Sequence, residues 1–341
     1  DCLAGKSSYD VLGGLFREMN RPGITPAGKY KDVDFFNGGL FATIDPIELN
    51  QEELKILDLA ARQDWNKIRP AIFGNIFEGM ANKKERHTYG IHFTSEADIM
   101  KIVRPTISRY WEEKIEAAGT INELNLLQLE LQNYKILDPA CGSGNFLYVA
   151  YQELKRVEQL LLDKLTSRKR SDNEQLQMSF VTPKQLFGMD INPFAVELAK
   201  VTMAIARKVA IDKLSLTEPA LPLDTLDKNI VCADALFNPW EKANAIVGNP
   251  PFLGGNNIRL TLTDEYAEKV FNKYSDVKGQ VDLCTYWFRL THDNLDEKGR
   301  AGLVATNSIS QGQSRVAALD YITNNNGYIH EAISTQVWSG E

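Results

Sequence analysis

The sequence predicts an α/β fold: a doubly wound, mostly parallel sheet preceded by a mainly helical region. Three observations predict it. From residue 134 onward, short apolar runs alternate with stretches long enough for helices. Those runs are apolar throughout, as strands covered on both faces must be. Before residue 134 the apolar residues instead recur at helical spacing.

Residues 1–45 are mixed and rich in Gly and aromatics, with Phe35-Phe-Asn-Gly-Gly-Leu-Phe41 read as a turn. Between Asn50 and Met80, Leu54, Ile56, Leu57, Leu59, Ala60 and Trp65 suit amphipathic helices. Thr94-Ser95-Glu96 is a helix-start signal, because a hydroxyl there can accept from the first free N–H groups. That helix should pass through Ile99, Met100 and Val103 and bend or end near Pro105. A further helix is expected from Ile121 to Asn133.

The strand candidates follow: Tyr134–Asp138, Gln185–Asp190, Asn229–Asp234, Ala243–Gly248, Gly302–Thr306 and Ile329–Ser334. A long helix should fill Gly144 to Leu165, and another Pro193 to Val209, with Pro193 preset for a first turn. Thr166–Val181 reads as an exposed polar insertion. The organisation expected is a helical region over 1–80 and a sheet-containing catalytic region over 81–341. Asp1-Cys-Leu-Ala-Gly5 lacks an initiating Met, and few residues follow Ser334, so a piece of a longer chain is expected.

Composition excludes several classes. Of 341 residues, 43% are hydrophobic and 24% charged, enough apolar material for a large core. No apolar run is long enough to span a bilayer, and no secretory signal opens the chain. The four cysteines form no CxxC pair, so a disulfide framework or zinc site is not expected, and a reducing cytoplasm fits. No metal is expected. The net charge of −7 argues against a surface coated with nucleic-acid-binding charge but leaves room for a local basic groove.

Ligands of such sheets bind at the carboxyl ends of the strands. The first strand ends in Asp138-Pro-Ala-Cys-Gly-Ser-Gly-Asn-Phe146. Its glycines allow a tight turn and close approach to the backbone. By itself this is a weak signal, since plain strand-to-helix turns look similar; it is neither GxGxxG nor a P-loop. The second strand ends in Asp190, placed to accept from a ribose diol, and the third in Asp234, placed to accept from an adenine amine. Each Asp alone is better explained as a cap or a solvated turn residue. Three carboxylates at three successive strand ends describe a pocket for an adenosine-containing cofactor.

The fourth strand ends in Asn249-Pro-Pro-Phe252. Asn249 offers an amide oxygen, Pro250 a carbonyl without a competing N–H, and Phe252 a ring face. Two acceptors and a stacking ring suit a planar substrate bearing an NH₂ group. The amine of an aromatic base is a poor nucleophile because its lone pair is delocalised. Acceptors that hold both hydrogens favour the pyramidal geometry needed for attack, so positioning and electrostatics carry the catalysis.

With these residues in place, the sequence resembles the class I, Rossmann-like S-adenosylmethionine-dependent methyltransferases that modify DNA amines. Asp138–Phe146 resembles the family's cofactor loop, and Asn249–Phe252 its catalytic tetrapeptide in the form typical of adenine-N6 enzymes. Gly90-Ile-His-Phe-Thr-Ser95 resembles the segment at the methionine end of the cofactor, giving the gamma motif order. The resemblance covers roughly residues 70–341. Phe35–Phe41, His92–Ser95 and Gln336-Val-Trp-Ser-Gly-Glu341 look like the large single-chain restriction–modification enzymes of the MmeI type. A phage-defence methyltransferase is a near neighbour.

The resemblance implies roles residue by residue. Asp138, Ala140, Gly142 and Gly144 would shape the loop against the methionine moiety, and Thr94 would help hold its carboxylate. Asp190 would bind the ribose, Ile191 would pack on the adenine, and Asp234 and Ala235 would contact its edge. Asn249 and Pro250 would accept from the target N6, and Phe252 would stack on the base, which must leave the duplex to arrive there. Asp190 stands where Glu is frequent in the wider fold. The partner implied is double-stranded DNA, held mainly by parts of a parent chain outside these residues, and the recognition domain and final antiparallel strand are expected to be missing. Competing readings are a glutamine-amide protein methyltransferase, an RNA guanine methyltransferase, and a cofactor-binding scaffold without independent catalysis.

Overall fold

The computed structural model describes residues 1–33, 35, 41, 43–63, 72, 94–168, 179–214, 226–277 and 281–334. Most of the Phe35–Phe41 turn, Trp65, the stretch 73–93, most of the 166–181 insertion and the terminal Gln336–Glu341 lie outside the described residues.

The amino-terminal region carries α1 (Ser8–Met19) and α2 (Gln51–Ala61). Asn50 and Glu53 close a capping box on α2. Glu48 accepts from the backbone of Ser8 at 3.1 Å and of Tyr9 at 3.1 Å, so the segment before α2 caps the start of α1.

Next comes α3 (Glu96–Val103), capped as expected by Ser95, whose hydroxyl accepts from Asp98 N at 3.2 Å. Pro105 does not end the helix. A π-helical turn, Arg104–Ser108, absorbs it, and α4 (Arg109–Ala117) continues. Helix α5 (Ile121–Gln132) opens on a Thr120–Glu123 capping box. The rest alternates: β1 (Ile136–Asp138), α6 (Asn145–Arg168), β2 (Leu186–Asp190), α7 (Pro193–Leu214), β3 (Ile230–Cys232), β4 (Ala243–Gly248), α8 (Asp264–Lys273), α9 (Cys284–Asn294) and β5 (Leu295–Leu303).

The sheet order is β3-β2-β1-β4-β5, with every pairing parallel. Alternate strand residues feed opposite cores. Ile136, Leu186, Ala245 and Val247 pack with Trp111, Leu124, Tyr151 and Met203 on one face. Leu137, Met189 and Ile246 pack with Val270, Tyr286 and Trp287 on the other. Helices thus cover both faces, the doubly wound arrangement the sequence predicts.

Two strand expectations need correction. The fifth strand runs over Leu295–Leu303, not Gly302–Thr306. Ile329–Ser334 forms no strand: the segment is exposed and pairs with no neighbour in the sheet, with Ile333 at 60% exposure. Burial against a sheet face is what holds an apolar run extended, and this run has none.

Candidate active site

Strand order places the end of β1 at the centre of the sheet, where the connections reverse direction between β2 and β4. The Asp138–Phe146 loop therefore sits at the crevice where such sheets bind ligands. Gly142 and Gly144 take positive φ, 51° and 85°. A Cβ on Gly144 would come within 3.1 Å of Ala199 Cα, so the glycine also lets α7 approach the loop.

The three carboxylates are built into this edge in different ways. Asp138 is 1% exposed. Its Oδ1 accepts from Ala140 N at 3.1 Å, while Oδ2 is buried with no partner. Burial pushes its pKa up to about 8; the Ala140 bond opposes this and the Asp190 charge adds to it. Gly248 at the end of β4 is required here, because a Cβ would meet Asp138 Oδ1 at 2.6 Å.

Asp190 ties two loops together. Its Oδ2 accepts from Gly142 N at 2.9 Å and its Oδ1 from Asn192 N at 2.8 Å. Burial raises its pKa while these N–H groups hold it down. Each oxygen keeps a second lone pair for a ligand hydroxyl. Beside it, Ile191 and Phe194 stand 49% and 46% exposed, an apolar platform at the end of β2. Asp234 accepts from Leu236 N at 2.9 Å and faces the Tyr266 hydroxyl, whose pKa is raised by burial and then by the Asp234 charge. The Ala235 carbonyl accepts from Trp240 Nε1 at 2.8 Å, which fixes the backbone just after Asp234.

Asn249 lies at the end of β4. Its Nδ2 donates to Thr94 Oγ1 at 3.2 Å, and its Oδ1 is buried without a partner. The structure thus brings Thr94, 155 residues away in sequence, to the tetrapeptide. Thr94 keeps its hydroxyl hydrogen to donate elsewhere. Pro250 is buried and Phe252 half-buried, so part of its ring is open to contact.

Two contributors carry no signal in the sequence beyond ordinary helix residues. Trp287 on α9 donates from Nε1 to the Pro139 carbonyl at 3.1 Å, pinning the Gly loop from the opposite face. Tyr266 on α8 closes on Asp234. Asn145, inside the Gly loop, adds a residue that the sequence reading assigns no role; its Oδ1 is a third buried acceptor without a partner, with Asp138 Oδ2 and Asn249 Oδ1. Buried acceptors left unpaired are costly, and their grouping in these loops marks a place for donors from a ligand.

The site suits S-adenosylmethionine. An unpartnered buried carboxylate fits a cationic group, and the exposed Ile191 and Phe194 fit a flat base. The four cysteines are free. Among the described residues no cluster of His, Cys, Asp or Glu could hold a metal, and no helix is long and apolar enough to cross a membrane.

Comparison with known proteins agrees with this architecture. DNA methyltransferase A of Bacillus subtilis (strain 168) is 29% identical over 327 residues, covering 91% of this chain and 36% of that protein. The type II restriction enzyme and methyltransferase RM.Eco57I of Escherichia coli is 23% identical over 269 residues, covering 70% of this chain and 25% of that protein. The chain thus spans 36% or less of either relative's length. The solved structure of the type IIL restriction–modification enzyme MmeI in complex with DNA superposes with a TM-score of 0.78 at 26% identity, covering 93% of this chain and 45% of that one. The family model "MmeI, DNA-methyltransferase domain" matches residues 113–341, well over half of the sequence, and the chain belongs to that family.

Proposed function

We propose that this chain transfers a methyl group from S-adenosylmethionine to N6 of an adenine extruded from duplex DNA, within a restriction–modification or phage-defence protein. The observation that carries the reading is Asn249. Its amide nitrogen is tethered to Thr94, which turns its oxygen into a buried acceptor with nothing to accept from. An exocyclic amine supplies the missing donor.

The cofactor supplies an electrophilic methyl group when bound. The protein's own residues do the rest. Asn249 Oδ1 and the Pro250 carbonyl take the two amine hydrogens and favour the lone pair that must attack. Phe252 holds the base by stacking, worth roughly 1–3 kcal/mol for an aromatic against a base. Asp138, Gly142, Gly144 and Asp190, with Ala140, form the wall for the methionine and ribose, Thr94 contributing a hydroxyl. Ile191, Asp234 and Ala235 receive the adenine moiety.

We divide the chain into a helical region over 1–80 and a catalytic region over 81–341. Ile99, Val103 and Trp111 belong to the same core as β1 and β4, which supports a boundary ahead of α3. Duplex contacts are assigned largely to parts of the protein outside these residues, since tight duplex binding draws on many Lys and Arg contacts and this chain carries −7. Free cysteines fit a cytoplasmic setting.

The reading is tested by single-turnover transfer of labelled methyl from the cofactor to DNA, protein and RNA by the full-length protein, followed by nucleoside analysis. Label in N6-methyladenine is the expected product. Label in glutamine, in RNA, or in no acceptor would overturn the assignment.

Cofactor binding gives a second expected outcome. Asp190→Ala removes both the ribose acceptor and the tether on Gly142. Loss of a hydrogen bond to a charged group should weaken binding about tenfold or more. Titration calorimetry reads this directly, and the cofactor-induced rise in melting temperature should shrink with it. Unaltered affinity in the variant would remove Asp190 from the site.

A further inference from the structure

Asn249-Pro-Pro-Phe252 cannot hold itself in place. Pro250 and Pro251 have no N–H, so the loop lacks two donors that would ordinarily tie it to its surroundings. Its position must be fixed at its ends. At the near end the β4–β5 ladder continues, with Val304 N donating to the Gly248 carbonyl at 3.1 Å. At the far end the anchor is Leu253, and both of its backbone groups go to one place. Leu253 N donates to Asp282 Oδ1 at 3.2 Å, and the Leu253 carbonyl accepts from Leu283 N at 2.9 Å.

Asp282 stands just ahead of α9 and is 7% exposed. An aspartate there could be read as a simple helix cap, since Oδ1 also accepts from Cys284 N at 3.3 Å. A cap does not need its other bonds. Oδ2 accepts from Thr306 Oγ1 at 3.1 Å and from Ser308 Oγ at 3.4 Å, both in the loop after β5. The Asp282 backbone N–H donates to Ser314 Oγ at 3.1 Å. One buried carboxylate therefore joins the start of α9 to the loops that leave β4 and β5. Donors from three chain segments converge on it, as a buried acceptor requires.

We propose that Asp282 is a positioning residue for methyl transfer: it fixes Leu253, and through it the height of Asn249, Pro250 and Phe252 over the end of β4. The inference rests on the function proposed above. Among the described residues the hydrogen-bond partners of Asp282 include neither the cofactor loops nor Asn249, so its loss should fall on turnover and not on cofactor affinity. A misplacement of about 1 Å can cost on the order of a hundredfold in rate.

The test uses the full-length protein in single-turnover methylation of duplex DNA, with cofactor affinity and urea stability measured on the same samples. Asp282→Ala should lower the methylation rate about a hundredfold while the cofactor Kd stays at the wild-type value. Asp282→Asn should restore much of the rate: its amide oxygen can still accept from Leu253 and Cys284, and the Thr306 and Ser308 hydroxyls can rotate to accept. Thr306→Val removes one arm and keeps the fold should Asp282→Ala fail to fold; it should cost about tenfold in rate at unchanged cofactor Kd. Wild-type rates in Asp282→Ala or Thr306→Val, or rate losses matched by equal losses of cofactor affinity, would overturn the positioning role while the wild-type activity stands. A wild-type protein that methylates no adenine would overturn the functional reading itself, and this inference with it.

Discussion

Asn249→Ala in the full-length protein should lower single-turnover methylation of adenine by about a hundred- to a thousandfold, the usual cost of losing one preorganised group aimed at developing charge. Cofactor affinity should stay near the wild-type value: among the described residues the one side-chain bond of Asn249 is to Thr94, whose hydroxyl hydrogen is not used in that bond. The loss should appear in the chemical step, since the oxygen acts on an amine that becomes cationic only as it attacks. The variant also removes an unpartnered buried acceptor, so its thermal stability should not fall. The combination of lost rate, retained binding and retained stability separates a catalytic acceptor from a structural one. An alanine variant that methylates at the parental rate would show that the amine is held elsewhere.

Much of this site is legible in the sequence because strand-end residues do two things at once. Asp138, Asp190 and Asn249 stop apolar runs and are also the residue types that the proposed chemistry needs, so the same positions mark element ends and candidate pocket walls. The first four strands are found within two residues at either end, and β4 matches at both ends. The fifth fails for a physical reason. β5 lies at the sheet edge and begins Leu295-Asp-Glu-Lys-Gly-Arg300, charged residues that an edge tolerates and a central strand does not. Read as a pattern it looks like a loop. Ile329–Ser334 errs in the opposite direction, an apolar run with no face to cover. Pro105 shows a third kind of difference, a helix breaker absorbed by a π turn that is anchored in the core by Ile107 within it and Trp111 just after it.

What the sequence could not show is pairing at a distance. Nothing near Thr94 announces that its hydroxyl will orient Asn249, and nothing in α9 announces that Trp287 will reach Pro139. Such contacts depend on which helix crosses which strand end. The motif supplies the amide, and the fold supplies the orientation that leaves one of its two polar atoms without a partner.

Asp138 gives the second large expectation. In the folded protein without cofactor its carboxyl is pushed up to about 8 from an ordinary value of 3.8, chiefly by burial. The folded state then keeps a proton that the unfolded chain has released. Stability must fall as pH rises between those two values and level off above them, because the native state binds more protons across that window. Asp138→Asn mimics the neutral carboxyl and should remove the slope. The cofactor-free variant should melt higher than the wild type at pH 7.5, with the difference shrinking towards pH 4.5. Cofactor binding should behave in the opposite sense. A positive charge brought beside the Asp138 carboxyl favours its ionised form, so binding should release about one proton below pH 8 and tighten with rising pH up to that point. Calorimetry in buffers of different ionisation enthalpy reads the released proton. In Asp138→Asn the release should vanish, and affinity should drop about tenfold or more at pH 8, where the wild-type carboxylate is available to a cationic ligand. A variant that is more stable without cofactor and weaker with it identifies Asp138 as a residue held ready for a ligand charge. Equal pH slopes in the two proteins would place the titrating group elsewhere in the fold.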